Sequence, residues 1–342
     1  MKKRYIFLFL VVIIGISVAG LVVVLDPPFR EPEPVRILLG GDVYPGNRIE
    51  ERLQNKGVED FTANILPVRQ EVDLHFANLE TPVTNRNTTT VKKTFLFKSQ
   101  PQIALPILKS LGVDGVSIAN NHIMDYGPEG LRETKQHLDS VNIGYTGAGK
   151  NREKAEKPVF FEANNQTVAL LAFSNTFPRS FWAGEDKPGT AFGAAGRVRD
   201  AVKETSEKAD FTLVSFHWGA ELDTTPQKYQ KNLARSSIDA GADVVFGHHP
   251  HVIQPVEKYN GGVIYYSLGN YLFTTLTDNI RYGLLAEVTL EPGTKPSTRY
   301  HLLNVNNYEV NYSPYVVQKF DAGNKLVRYL DKNYGLRLVI KD

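Results

Sequence analysis

Five of the chain's eight histidines stand in three short blocks: Asn120-Asn121-His122, His217-Trp218-Gly219 and Gly247-His248-His249-Pro250-His251. Each block follows an apolar, strand-like run, at residues 113–119, 211–216 and 242–246. Two carboxylates close runs of the same kind, Asp42 after 35–39 and Glu80 after 74–79. Open α/β sheets collect their chemistry at the carboxyl ends of strands, so these residues read as one site assembled from several strand ends. Carboxylate oxygens, an Asn carbonyl and neutral imidazoles form a mixed O/N donor set suited to Mn, Fe, Zn or Co, and less suited to Ca or Mg, which favour all-oxygen shells. A site for two divalent transition-metal ions is therefore chemically reasonable.

Taken singly, most of these blocks have plainer readings. An isolated Asn-Asn-His after a strand is commonly a turn, because Asn tolerates left-handed backbone angles. Aromatic packing alone would explain His217-Trp218-Gly219, and Asp42 and Glu80 could cap the elements that follow them. The block 247–251 is different, since three imidazoles in four residues around a proline are costly to bury without a purpose. His75 and His301, in strand-like runs, and His137, in a helical one, read as core or surface residues.

The elements that must position the site alternate between strand-like and helical patterns. Amphipathic helices are expected at 48–56, 68–73, 102–111, 130–140, 197–208 and 227–240. Runs 159–162 and 167–174, separated by the turn-prone Asn164-Asn165-Gln166, predict a hairpin and hence a mixed sheet. A second antiparallel group is expected from 262–267, 282–290 and 299–310, with a closing helix at 321–333. Two sheets with helices outside them would account for the order, an α/β architecture.

Composition removes several function classes. With 39 basic and 37 acidic residues the formal charge is +2, which leaves no concentrated basic footprint of the kind nucleic-acid binding needs. There is no cysteine, so disulfides, thiolate ligands and a Cys nucleophile are excluded. Lys2-Lys3-Arg4 precedes an uncharged apolar stretch at 5–25, long enough to cross a hydrocarbon core of roughly 30 Å with its basic flank inside. The run continues past the small residues Ser17-Val18-Ala19, which favours an uncleaved anchor over a cleaved signal. Four prolines in 26–34 then make a stiff tether. The expected organisation is a cytoplasmic tip and transmembrane anchor at 1–25, the tether at 26–34 and one globular domain at 35–342.

The ordered blocks Gly41-Asp42-Val43, Asn78-Leu79-Glu80-Thr81-Pro82, Asn120-Asn121-His122 with Asp125-Tyr126-Gly127, 144–149, His217-Trp218-Gly219, 247–251 and 267–271 carry a resemblance. The chain resembles the poly-γ-glutamate capsule biosynthesis (CapA-like) family, a branch of the calcineurin-like metallophosphatase superfamily. That resemblance implies two mixed β-sheets sandwiched between helices (αββα). It also implies that Asp42 and His251 hold a first metal ion, that Asn121, His217 and His249 hold a second, and that Glu80 bridges them. The superfamily's usual bridge is Asp, and its first block is Asp-x-His, where this chain has Tyr44. A phenol is a poor ligand for a divalent ion unless ionised, so the first position loses a donor.

Two such ions would clamp an oxyanion and activate water near neutral pH, with His122 protonating the leaving oxygen and Asp125 orienting that imidazole. The Pro/Gly-rich stretch 175–194 is long enough to suggest function, with Arg179, Trp182 and Lys187 lining the approach for an anionic substrate. The resemblance further implies an externally facing, single-pass membrane component of poly-γ-glutamate synthesis or export, partnered by the membrane subunits of that system and acting on or holding an acidic polymer or phosphorylated species. A stand-alone extracellular metallophosphoesterase and a scaffold with a decayed site are the alternatives.

Overall fold

The computed structural model describes residues 33–317, apart from 47, 54, 55 and 90. The apolar stretch 5–25, nearly all of the tether and the expected helix at 321–333 lie outside the described residues. Among the described residues no helix is long and apolar enough to cross a membrane.

In chain order the strands are β1 (Val35–Val43), β2 (Leu74–Leu79), β3 (Gly115–Ser117), β4 (Gly144–Thr146), β5 (Ala148–Gly149), β6 (Val159–Ala163), β7 (Gln166–Ser174), β8 (Gly189–Thr190), β9 (Phe211–His217), β10 (Val244–His248), β11 (Val256–Tyr259), β12 (Gly262–Tyr265), β13 (Asn270–Leu272), β14 (Tyr282–Leu290), β15 (Ser297–Asn304) and β16 (Tyr315–Val316). One sheet runs β16-β15-β14-β1-β2-β3-β4, with β13 also paired to β1; a second runs β11-β12-β10-β9-β7-β6; and β5 pairs with β8. The β1-β2-β3-β4 and β7-β9-β10-β12 steps are parallel, whereas β14, β15 and β16 add antiparallel strands at one side.

Alternation along the strands sorts the core into layers. Val35, Ile37 and Leu39 of β1, with Leu284, Ala286 and Val288 of β14, meet Leu170, Leu213, Val244 and Phe246 of the other sheet, so this apolar cluster lies between the sheets. The residues of opposite parity point outward. Leu38, Ala77, Leu79 and Val116 pack on Ile103, Ile107 and Leu108 of helix Pro101–Ser110 and on Leu131 and Leu138 of helix Gly127–Ser140. Leu171, Phe173, Val214, Phe216 and Val245 pack on Val198 and Val202 of helix Ala195–Ser206 and on Leu233 and Ile238 of helix Lys228–Asp239. The result is helix, sheet, sheet, helix, the expected layering.

The hairpin forms from β6 and β7, turned by Asn164 and Asn165 at φ 51° and 60°, which Asn accepts more readily than branched residues. The expected second antiparallel group is split. Residues 262–265 join the second sheet, parallel to β10, while β14 and β15 extend the first sheet. The run 299–310 stops as a strand at Asn304, and Asn307–Val310 is a helical turn. The helix expected at 68–73 is the shorter Leu66–Arg69, whose Pro67 suits a first turn and cannot continue a preceding one.

Candidate metal centre

The centre forms where the parallel strands end. Along β1 the pairing moves from Leu39 opposite Phe76 to Asp42 opposite Asn78, one residue more on β1 than on β2. Such a bulge re-aims a side chain, and here it delivers Asp42 to the sheet's edge. Gly41 makes the approach of β13 possible: a Cβ there would lie 1.9 Å from the Gly269 carbonyl oxygen. His217 and His248 end the adjacent strands β9 and β10 and stand opposite each other in register. The chain then turns sharply, with φ of 93° at His249 and 59° at His251. Backbone of this kind costs about 1–3 kcal/mol per residue and persists where the surroundings fix it, commonly at functional sites.

Two donor groups result, and they share a residue. Asp42, Glu80 and His251 each offer one atom to a cluster whose members all lie within 4.8 Å of one another, and so do Glu80, His217 and His249. His217 Nε2 is 3.5 Å from Glu80 Oε1 and 2.9 Å from Asn121 Oδ1. His251 Nε2 is 3.9 Å from Glu80 Oε1, and its Nδ1 is 3.2 Å from Asp42 Oδ2. Two donors bonded to one ion at about 2.0–2.2 Å stand roughly 3–3.5 Å apart, so the Asn121, His217 and Glu80 spacings fit a shared ion. The positions implied by the resemblance, with Glu80 common to both halves, come together.

Supporting side chains fix these donors. Asn78 donates to Asp42 Oδ1 at 2.8 Å and to Glu80 Oε2 at 3.3 Å, and it lies 3.4 Å from His217 Nδ1. Asn270 Oδ1 is 2.8 Å from His251 Nδ1, which leaves Nε2 of that ring facing Glu80. Asn120 accepts from the backbone N–H groups of His122 and Ile123, folding the turn that presents Asn121 and His122. His248 is fully buried with Nδ1 3.1 Å from Asp42 Oδ1, beside a proposed donor and outside both donor groups.

Charge and solvation are out of balance in a way that a cation would correct. Asp42, Glu80 and His217 are all 0% exposed. Burial, with Asp42 adding repulsion, drives the Glu80 carboxyl well above its usual range. Burial also works against ionised Asp42, but hydrogen bonds from His248 and His251 outweigh it and hold that carboxyl low. At His251 burial opposes the charge, while Glu80 and Asp42 lift the imidazole to about 9. His217 and His249 are pushed the other way, chiefly by burial, His249 to about 3, so both present neutral lone pairs. Glu80 Oε1 and His249 Nδ1 are buried without a hydrogen-bond partner. Buried donors without partners are what folding otherwise avoids and what a bound cation would satisfy, displacing the proton that burial favours on Glu80. These residues fit divalent transition-metal ions; neither the identity nor the number of ions follows from the donors.

Beside this centre, His122 Nδ1 and Asp125 Oδ2 are 2.7 Å apart. Lys93, which the sequence did not single out, reaches the Asn121 carbonyl and Asp125 Oδ1 at 2.7 Å each and lies 3.1 Å from His122 Nδ1. Burial lowers the His122 pKa, Asp125 partly offsets this and Lys93 adds to the fall. Phe97, also unforeseen, stacks on His122 at 3.6 Å, donates its N–H to Asp125 Oδ2 and stacks on Tyr44 at 4.2 Å. Tyr44 thus serves as the outer ring of an aromatic wall, buried, with its phenol pushed up to about 12 by desolvation. Lys93 and Phe97 come from the long segment after Glu80, whose length alone could have flagged it.

The three residues expected at the approach stay within their own loop. Arg179 lies over the rings of Phe177 and Trp182, at 5.8 and 5.7 Å. Trp182 stacks on Phe192 and donates to the Thr176 carbonyl, and Lys187 donates to the Ser180 carbonyl. It is Phe181 that touches the site, with Lys93 Nζ 5.5 Å from its ring centre.

The chain is similar to known proteins over most of its length. Residues 36–275 match the bacterial capsule synthesis protein PGA_cap family. The PGA biosynthesis protein CapA of Bacillus subtilis (strain 168) is 30% identical over 305 residues, covering 88% of this chain and 79% of that protein. The capsule biosynthesis protein CapA of Bacillus anthracis is 28% identical over 319 residues, covering 92% and 74%. A putative 5'-nucleotidase from Staphylococcus aureus, solved with alpha-ketoglutarate, superposes with a TM-score of 0.50 at 14% identity over 88% of this chain and 58% of its own, a likeness of fold to metallophosphatase-like structures. On the extent of the match and the identity to its relatives, the chain belongs to the bacterial capsule synthesis protein PGA_cap family.

Proposed function

We propose that this protein is an accessory component of poly-γ-glutamate capsule synthesis or export, whose buried centre holds two divalent transition-metal ions, Mn, Fe or Zn. Family membership supports the capsule role. The observation that carries the two-ion reading is the pair of donor groups that share Glu80. In this reading the stretch 5–25 anchors the chain as a single-pass protein, the globular domain faces outward, and the partners are the membrane subunits that make and move the polymer.

When bound, such ions supply Lewis-acid polarisation of an anionic group and activation of water near neutral pH. The chain's own residues do the rest. Asp125 accepts from His122 Nδ1 and fixes the ring's orientation, so Nε2 is the atom that takes up a proton from solvent to form the imidazolium and then gives it to a leaving oxygen. Lys93 neutralises Asp125 and ties it to the Asn121 backbone, so the metal donor and the proton donor are held as one unit. The Phe97 and Tyr44 rings close one side of His122 against water. Phe181, carried by the loop in which Arg179, Trp182 and Lys187 are engaged, sets an apolar ring beside Lys93 at the edge of the site.

Polymer production in a capsule-forming bacterium, with Asp42→Ala and His249→Ala variants replacing the native protein, tests this reading. Loss of polymer at normal protein level is the expected result, and unchanged production contradicts it. The His122, Asp125 and Lys93 arrangement also favours a second reading, hydrolysis of a phosphorylated substrate in its own right. That reading requires turnover of a generic aryl phosphate, restored by Mn but not Mg and abolished by His122→Ala.

A further inference from the structure

Away from the metal centre, two adjoining depressions of about 400 and 550 Å³ share Arg132, Lys135, Tyr145 and Lys150. Lys154 and Lys157 extend the same surface. The groove therefore carries five cationic side chains against Glu129 and Asp139, in a chain whose formal charge is only +2. Several of these cations are already engaged: Arg132 with Glu129 and Gln136, and Lys154 and Lys157 with Glu153. Among the described residues, Lys135 and Lys150 have no salt-bridge partner within 4.0 Å, and the opposing charge acting on Lys135 is the Asp139 carboxylate of the same groove, with Lys150 adding a like charge. Lys135 is half-buried with its ammonium 5.4 Å from the Tyr145 ring centre, so its charge is held at a fixed place instead of sweeping through solvent.

The groove's floor and position narrow what it can hold. Leu131, Tyr145 and the prolines Pro158 and Pro188 give it an apolar base beneath the ammonium groups. A phosphate-dense chain would favour free bidentate Arg forks, and the one Arg here is occupied. Point-charge lysines over an apolar base suit a chain that alternates carboxylates with methylene segments. β4, which forms one wall, is three strand positions from β1 in the same parallel run, roughly 14 Å at about 4.8 Å per strand. Helix Gly127–Ser140, which forms another, starts two residues after Asp125, and Pro188 belongs to the loop that brings Phe181 to Lys93.

We propose that this groove binds an extended, carboxylate-rich polymer, with Lys135 and Lys150 holding side carboxylates and Leu131 and Tyr145 lying under its methylene segments, and that the bound chain runs toward the metal centre. The identity of that polymer as a glutamate chain rests on the capsule reading above; the groove's preference for polycarboxylate does not. Recognition by exposed lysines is electrostatic, so binding weakens as salt rises.

The test is fluorescence anisotropy of the full-length chain in a mild non-ionic detergent with labelled γ-linked glutamate oligomers, at several salt concentrations. Lys135→Glu with Lys150→Glu is expected to weaken binding about tenfold or more, the sum of one half-buried and one exposed charge contact, and to flatten the salt dependence. Lys150→Glu alone, at an exposed position, should give an intermediate loss and guards against misfolding of the double variant. Lys203→Glu on helix Ala195–Ser206 should change nothing. Equal binding of the α-linked polymer would assign the groove to polycarboxylates in general, as proposed, while tighter γ-linked binding would tie it to the capsule polymer. Undiminished binding in the double variant overturns the groove but leaves the capsule role standing. Binding of inorganic polyphosphate in preference to either glutamate chain overturns the carboxylate assignment.

Discussion

The two halves of the metal centre share Glu80 but are built differently. The half formed with His217 and His249 presents neutral imidazoles whose pKa values are pushed down, Asn121 Oδ1 2.9 Å from His217 Nε2, and a His249 Nδ1 with no partner. The half formed with Asp42 and His251 is already satisfied. Asp42 receives Asn78, with His248 and His251 close by, and His251 carries a proton held to about 9. Tyr44, two residues after Asp42, is committed to stacking on Phe97 and offers this half no imidazole. One half waits for a cation, and the other has a proton and a hydrogen-bond network standing in for it. On the two-ion reading proposed above, the His217/His249 half is the one expected to bind the tighter ion.

The largest effect should come from the shared residue. Glu80→Gln removes the charge common to both donor sets, and metal retention at both positions should fall more than about 100-fold, beyond the 10–100-fold typical of losing an outer partner. Next come the single-half variants. His249→Ala should abolish the tight position and leave the weak one, whereas Asp42→Ala should abolish only the weak one, an asymmetry readable by isothermal titration calorimetry.

The halves should also separate by pH. His251 is protonated in the metal-free chain below about 9, so an ion entering that half must displace a proton. Affinity there should fall about tenfold for each unit that pH drops below 9 through His251; the Glu80 carboxyl, raised well above its usual range, adds proton competition common to both halves, so the other half, whose His249 is neutral down to about 3, should show the shallower pH dependence. Parallel pH dependence in the two halves would break the comparison.

The smallest change is the most diagnostic. Tyr44→His restores a donor at the weak position and should raise occupancy there. It should also cost about 0.5–1.5 kcal/mol of stability through the lost stack on Phe97, measured by denaturant unfolding.

These contrasts mark how far the sequence could be read. That Asp42, Glu80, Asn121, His217, His249 and His251 converge was legible because strand ends are local signals, each a short apolar run closed by polar residues. The hairpin of β6 and β7 was legible for the same reason, through Asn164 and Asn165. Pairing partners were not. Residues 262–265 look like the start of an antiparallel group, yet they lie parallel to β10 because the two sheets are assembled by contacts distant in sequence. Lys93 and Phe97 were missed because their segment has no periodicity and reaches His122 and Asp125 only through tertiary folding. Asn78 and Asn270 stood inside matching blocks, but nothing local marks a strand Asn as the link between two carboxylates and an imidazole. At 179–187 the residue types suggested a rim, while the contact with the site is made by Phe181, an apolar residue with no chemical signal of its own.

The most direct test of the account is the metal content of the full-length chain, reconstituted in turn with Mn, Fe and Zn and measured by elemental mass spectrometry beside Glu80→Gln. The wild type should hold close to two equivalents of a transition metal, one of them lost first on dialysis, and Glu80→Gln almost none. A wild type that retains no metal under any of these conditions, or a Glu80→Gln variant that keeps both equivalents, would contradict it.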